Sequence, residues 1–257
     1  MKFQKILAGL VLAFLLTGNR AVAKDIQMIF WYPGEAGTTE MARPTLDLFF
    51  DYINAIIVPD KITGQYFNTT KDGLSFIKGK SPTLGIISFA TFSEHVGKLG
   101  KVSVLLKTLP LPAGKTSEEY VIVGKGPRPA NWNTALFSKQ PLTLDFVKKY
   151  ILPTSDSPQI VTVPAILPLL RDLSTGAKSG GAILKPTEYF AFKNLDQPWT
   201  KELALWQTSP AVPTAPVVLF GDGSALTEKI KKIMVDMSAD PEGIAILNEL
   251  RLKGFND

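Results

Sequence analysis

The chain has no cysteine and a single histidine, His95. The first absence excludes disulfides and thiolate metal sites. The second excludes a multi-histidine metal centre and leaves any Ser-His-Asp arrangement only one residue to serve as base. A bacterial exported protein that is anchored by lipid needs a cysteine at its cleavage site. Without one, an exported chain is expected to be free in solution, in an enclosed periplasm rather than on a Gram-positive surface. No phosphate loop and no series of metal-ligand residues occurs, so neither a cofactor nor a metal is expected. Charge of one sign is scarce as well, with 28 Lys+Arg against 23 Asp+Glu. No basic patch stands out, so nucleic acid is not expected as a partner.

Long apolar runs are also lacking, apart from one at the N-terminus. Lys2 and Lys5 precede an uncharged apolar stretch of 11 residues, 6–16, and Ala21-Val22-Ala23 closes the segment. These are the three parts of a secretory signal peptide, expected to be cleaved after Ala23. Eleven residues fall well short of the roughly 20 that a membrane-spanning helix needs, so stable membrane insertion is not expected. Cleavage would leave 234 residues carrying 25 cationic and 23 acidic side chains, a net charge of +2. That length suits one large domain or two lobes of about 110 residues each.

What is present is an alternation of strands and helices. Residues 26–32 (IQMIFWY) are a near-continuous apolar run, the pattern of a strand buried on both faces. A Gly-containing loop follows, with Thr38 or Thr39 as N-cap, and then a helix over 41–57 with Leu46, Phe49, Phe50 and Ile53 at helical spacing. Further strands are expected at 84–89, 102–109 and 119–124, with helices at 70–78 and 92–99. Gly124, Gly126, Pro127 and Pro129 then form the clearest break. A second series follows, with strands at 132–137, 159–163 and 180–184 and helices at 144–151 and 165–173. Residues 203–207 and 217–220 return to strand, and helices at 225–237 and 241–250 end the chain. This alternation predicts an α/β fold with mainly parallel sheets. The break and the late return predict two lobes joined by a two-stranded hinge. The expected division is a signal peptide at 1–23, lobe one at 24–125 plus 208–257, and lobe two at 126–207.

Several segments carry a family likeness. Residues 228–255, with Asp240-Pro241-Glu242-Gly243 and a closing Gly254-Phe255, resemble the final helix pair of the phosphate/phosphite/phosphonate-binding type of bacterial substrate-binding proteins. Ser209 to Pro213 ahead of Pro216-Val217-Val218 is similar to that family's Pro-rich return to the hinge, and Gly85 to Ser88 to its lobe-one strand end. The resemblance implies a type 2 periplasmic-binding fold: two mixed, mainly parallel sheets and a two-stranded hinge. It also implies a small-molecule ligand and an inner-membrane permease as partner; a monomer without enzymatic activity is expected. Phosphonate binders of the family hold an oxyanion on a Ser/Thr cluster at a lobe-two helix N-terminus. Residues 136–141 (LFSKQP) stand there instead, which points to a branch with a changed ligand.

Ligands of open α/β sheets bind beyond the carboxyl ends of the strands. That rule selects Tyr32, Gly34, Thr38 and Thr39 after the first strand, for which simple capping is the competing reading. Glu35 and Glu40 beside them weigh against an anion. The family likeness adds Ser88 and Phe89, which line its cleft. In lobe two the rule selects Lys185 and Glu188, the first suited to a carboxylate or phosphate and the second to an amine or hydroxyl. Ser209 lies on the hinge return. Trp31 and Tyr32 with Phe89 would make an apolar cleft suited to a larger hydrophobic ligand. Three functions follow: a periplasmic binding protein serving an ABC-type uptake system, a carrier or sensor for a hydrophobic ligand such as a lipid or sterol-like molecule, and an enzyme. The last rests on His95 alone. Its neighbours Ser93 and Glu94 point in other directions on a helix, so no catalytic residue is assigned.

Overall fold

The structure is a computed structural model and describes residues 23–257. The expected signal peptide therefore lies outside the described residues, except for Ala23. No helix among the described residues is long and apolar enough to cross a membrane.

The first lobe opens with β1 (Asp25–Trp31), buried over almost its whole length. Helix α1 (Thr39–Ile57) sets Leu46, Phe49, Phe50, Ile53 and Ile57 into the same core as Ile26, Met28 and Phe30. Strand β2 (Lys61–Phe67) runs parallel to β1. Helix α2 (Thr70–Lys80), strand β3 (Leu84–Ile87), helix α3 (Phe89–His95) and strand β4 (Val102–Pro110) follow. The chain then passes through a short strand, β5 (Ser117–Glu118), into β6 (Val121–Lys125). The second lobe repeats the plan of the first. Its elements are β7 (Ala135–Ser138), a helical turn α4 (Leu144–Phe146), β8 (Gln159–Thr162), α5 (Ile166–Thr175), β9 (Gly181–Leu184), α6 (Pro186–Lys193) and β10 (Leu203–Thr208). The return runs through β11 (Val212–Pro213) into β12 (Pro216–Phe220), α7 (Ala225–Asp236), α8 (Pro241–Glu249) and β13 (Leu252–Asn256).

The six-stranded sheet has the order β13-β4-β12-β3-β1-β2 and the five-stranded sheet β10-β6-β9-β7-β8. In each, three neighbouring strands are parallel, and the strand entering directly after a crossing, β12 or β6, is antiparallel. Between the sheets, β5 and β11 pair antiparallel, Glu118 opposite Val212 and Ser117 opposite Pro213. Those two connections are the two-stranded hinge.

Some expectations shift. Strand β6 belongs to the second sheet, so the first crossing falls between Glu118 and Val121 rather than after residue 125. The Gly/Pro break at 124–129 is a turn inside lobe two. Strand β2 has weak apolar alternation in KITGQYF; it pairs with β1 along its length and buries Ile62 in the core, and a β-carbon on its Gly64 would collide with the Met28 carbonyl. The helix expected at 92–99 begins at Phe89, because the Ser88 side chain caps it.

Candidate functional site

The carboxyl ends of β1, β3, β7 and β9 meet between the lobes. A cavity of about 570 Å³ lies there. Lobe one contributes Tyr32, Glu35, Ser88 and Phe89, and lobe two Gln140, Lys185, Thr187 and Phe190. The hinge connections supply Glu118, Tyr120 and Pro213, and the chain end Leu250 and Arg251. The rule that ligands bind beyond the strand ends therefore finds its cavity at the switch from one sheet to the other.

The lobes touch at several points around it. The Lys185 ammonium pairs with the Glu35 carboxylate, and Lys139 stands 4.0 Å from the other Glu35 oxygen. The Thr143 backbone N–H donates to Glu94 Oε1 at 3.0 Å. The Phe89 ring packs on Tyr150 and Phe146 of lobe two, with centroids 5.1 and 6.2 Å away. Gly34, with φ +83°, lies so close to lobe two that a β-carbon there would come 2.5 Å from the Lys139 carbonyl oxygen.

The cleft's titratable groups differ in their surroundings. Burial works against ionisation of Glu35, but Lys185, by charge and hydrogen bond, and then Lys139 outweigh it, so its carboxyl titrates below the usual range. Burial raises Glu118; Glu35 adds to the rise, and Lys185 does not cancel it. Glu188 is raised by burial too, although it accepts from the Lys185 backbone N–H at 2.9 Å. Burial, reinforced by Glu35 and Glu118, pushes the Tyr32 and Tyr120 phenols up, so both stay protonated. The Tyr120 hydroxyl lies 3.2 Å from Gln140 Oε1.

Of the residues selected from sequence, Tyr32, Ser88, Phe89 and Lys185 meet at this cleft. The others occupy supporting positions. The Gly34 N–H donates to the Asn68 carbonyl at 3.1 Å. Thr38 caps α1 by accepting from the Met41 N–H, and the Thr39 hydroxyl donates to the Tyr66 carbonyl at 2.5 Å. Glu188 closes the capping box of α6 and faces a neighbouring cavity beside Lys139, Ala165 and Leu170. Ser209 is buried, takes the Tyr120 N–H at 2.9 Å and donates to the Pro210 carbonyl at 2.6 Å, which ties the two hinge connections together. Trp31 does not reach the cleft. It is fully buried on the opposite face of β1, and its indole N–H donates to the Thr69 carbonyl. The alternation of side chains along a strand sends Trp31 and Tyr32 to opposite faces. His95 stacks on Trp31 at 5.6 Å with its Nδ1 buried and without a hydrogen-bond partner, and burial lowers its pKa.

Glu118, Tyr120, Gln140 and Arg251 were not selected. Glu118 sits in a two-residue hinge strand with no periodicity, and Tyr120 near the start of the strand expected at 119–124, where a rule about carboxyl ends does not look. Arg251 stands where the chain leaves α8 in a left-handed conformation, φ 56°, a position that ordinarily favours glycine. A second cavity of about 470 Å³ adjoins the cleft, sharing Tyr32, Glu35 and Leu250 to Leu252 with it and adding Phe30, Leu46 and Tyr66.

No family model matches the chain and no curated protein matches it. Solved structures do. A Xanthomonas citri protein bound to ATP has a TM-score of 0.68 at 11% identity, covering 91% of each chain. A binding protein component of an ABC phosphonate transporter from Pseudomonas aeruginosa has a TM-score of 0.63 at 10% identity, covering 91% of this chain and 81% of that one. A Prochlorococcus marinus protein in complex with methylphosphonate has a TM-score of 0.61 at 11% identity, covering 90% and 92%. The fold is that of the two-lobed, type 2 periplasmic binding proteins. In this fold the cavity described above lies between the lobes, at the hinge.

Proposed function

We propose that the chain is a solute-binding protein that closes its two lobes on a small molecule and delivers it to an inner-membrane permease of an ABC-type uptake system. The observation that carries this reading is the cleft itself: a single cavity lined from both lobes and from both hinge connections. Only a ligand held by both lobes can shift an equilibrium between open and closed forms. Similarity in fold to the phosphonate-transporter component supports the reading by analogy. In this account the protein is exported, cleaved after Ala23, and works as a monomer in the periplasm without catalysing a reaction. Lobe one is residues 24–118 with the return from β11, and lobe two runs from β6 to β10. Tyr32, Ser88, Phe89 and Lys185 contact the ligand.

The test is native mass spectrometry of the protein purified from its own host, followed by denaturation to release what it carries. A stoichiometric small molecule supports the reading. A chain that is empty, and that no small solute stabilises, contradicts it.

The adjoining cavity favours a second reading, in which the same cleft serves a carrier or sensor of a hydrophobic ligand. Phe30, Leu46, Ile86 and Leu252 line it largely with apolar surface. Release of a lipid in the same experiment would favour this reading.

A further inference from the structure

The charge arrangement of the cleft names a class of ligand, on the reading that the cleft binds a solute. Lys185 is the lysine among the cleft-lining residues, and Glu35 already neutralises it. Lys139 turns toward the same Glu35. The ion pairs among the described residues leave Glu118 out, and its carboxylate has no hydrogen-bond partner among them. Glu118 is half-buried and projects from the hinge strand β5 into the cavity. The rings of Tyr32, Phe89 and Tyr120 line the same cavity. Arg251 is at the edge of it and exposed, so water screens its charge.

An anion entering this cleft would meet a carboxylate that Lys185, already paired with Glu35, offsets only in part, in partly desolvated surroundings, which is costly. A cation would meet an unpaired carboxylate and aromatic faces, the two groups that together recognise ammonium ions. We propose that the cleft recognises its solute through a protonated or quaternary amine, which the Glu118 carboxylate holds among the rings of Tyr32, Phe89 and Tyr120. Burial keeps the Glu118 proton affinity high in the absence of a cation, and a bound ammonium would reverse that. The carboxylate thus separates this cleft from one that captures an oxyanion.

The experiment is isothermal titration of the protein with choline and 2-phenylethylamine as ammonium probes, and with inorganic phosphate and methylphosphonate as anionic ones. The ammonium probes are expected to bind. Glu118→Gln keeps the shape and removes the charge, and is expected to weaken that binding by about tenfold or more. Glu118→Asp, which keeps the charge on a shorter arm, is expected to recover part of it; its melting curve, compared with that of the parent, shows that the fold is intact. Binding of phosphate or methylphosphonate that Glu118→Gln leaves alone or tightens overturns the proposal. So does a failure of both ammonium probes. If another small solute then binds, only the ligand class falls. If no solute of any charge binds, the solute-binding reading falls with it.

Discussion

Lys185 of the second lobe pairs with Glu35 of the first, across the cleft and across 150 residues of chain. The pair is placed by two ordinary features of local structure. Lys185 is the N-cap residue of α6, and Glu35 sits in the turn where its backbone N–H donates to the Tyr32 carbonyl. Their side chains are 18% and 35% exposed, so solvent screens the interaction in part. The pair acts as a clasp between lobes rather than as a source of overall stability.

Glu35→Gln and Lys185→Met are therefore expected to move the melting temperature little, by the equivalent of about 1 kcal/mol or less. Both should shift the ligand-free protein toward an open form, visible as a larger radius of gyration in small-angle scattering. An unchanged radius in both variants would remove the clasp from the account.

Gly34 allows the lobes to approach. Its left-handed backbone and the nearness of the Lys139 carbonyl leave no room for a β-carbon. Gly34→Ala is expected to cost about 1–2 kcal/mol through the backbone alone, and to prop the cleft open as well. Weakened solute binding together with an enlarged ligand-free radius would support this, and full affinity would refute the close approach.

Acid has two opposing effects at the cleft. Glu35 titrates below the ordinary carboxyl value of 4.5, so its contribution to stability is present above that value and is lost as the pH falls through its own, lower pKa. Glu118 and Glu188 titrate above 4.5. Their burial as anions is a penalty at neutral pH, and it is relieved as the pH falls from their raised values toward 4.5. In a His95→Ala background, which removes the opposing loss of stability from that buried imidazole, the melting temperature of the ligand-free protein should thus rise on mild acidification and fall below the ordinary carboxyl range. Glu118→Gln should melt higher than the parent at pH 7 and show a smaller rise. Affinity for an ammonium probe should fall over the same mildly acidic range as Glu118 takes up a proton. Calorimetry across pH checks both, and affinity that stays constant would contradict a charged Glu118 in the site.

His95 packs within lobe one and is not among the residues that line the cleft. Its ring stacks on Trp31, away from the cleft. His95→Ala is expected to retain full ligand affinity, and a tenfold loss in titration would overturn that placement.

Much of the fold was legible because burial leaves a pattern. The apolar run of β1 and the helical spacing of Leu46, Phe49, Phe50 and Ile53 in α1 marked the α/β alternation, and the break at 124–129 with the Pro-rich return through Pro210, Pro213 and Pro216 pointed to two lobes and a recrossing. Strand β2 was not legible, because its apolar residues Ile62, Tyr66 and Phe67 are separated by Thr63, Gly64 and Gln65, while pairing to β1 runs along its whole length. The first crossing was misplaced because Gly124, Gly126 and Pro127 make a stronger local signal than the short β5 hinge strand. Among the residues lining the cleft, the strand-end rule reached Tyr32 and Lys185, and the family likeness Ser88 and Phe89. The rule also collected Gly34, Thr38, Thr39 and Glu188, and the hinge return suggested Ser209; the polar groups of all five are engaged in backbone and capping bonds that only three-dimensional placement reveals. Glu118 and Arg251 come from a hinge strand and a helix exit, and each reaches the cleft only through the recrossing of the chain.

Closure of the cleft on a small solute is read from the melting temperature measured across a panel of cationic, zwitterionic, anionic and neutral solutes. Saturable stabilisation by one class, following the logarithm of solute concentration and lost in Tyr32→Ala and Phe89→Ala, is the predicted result. A melting temperature that no solute moves would contradict it.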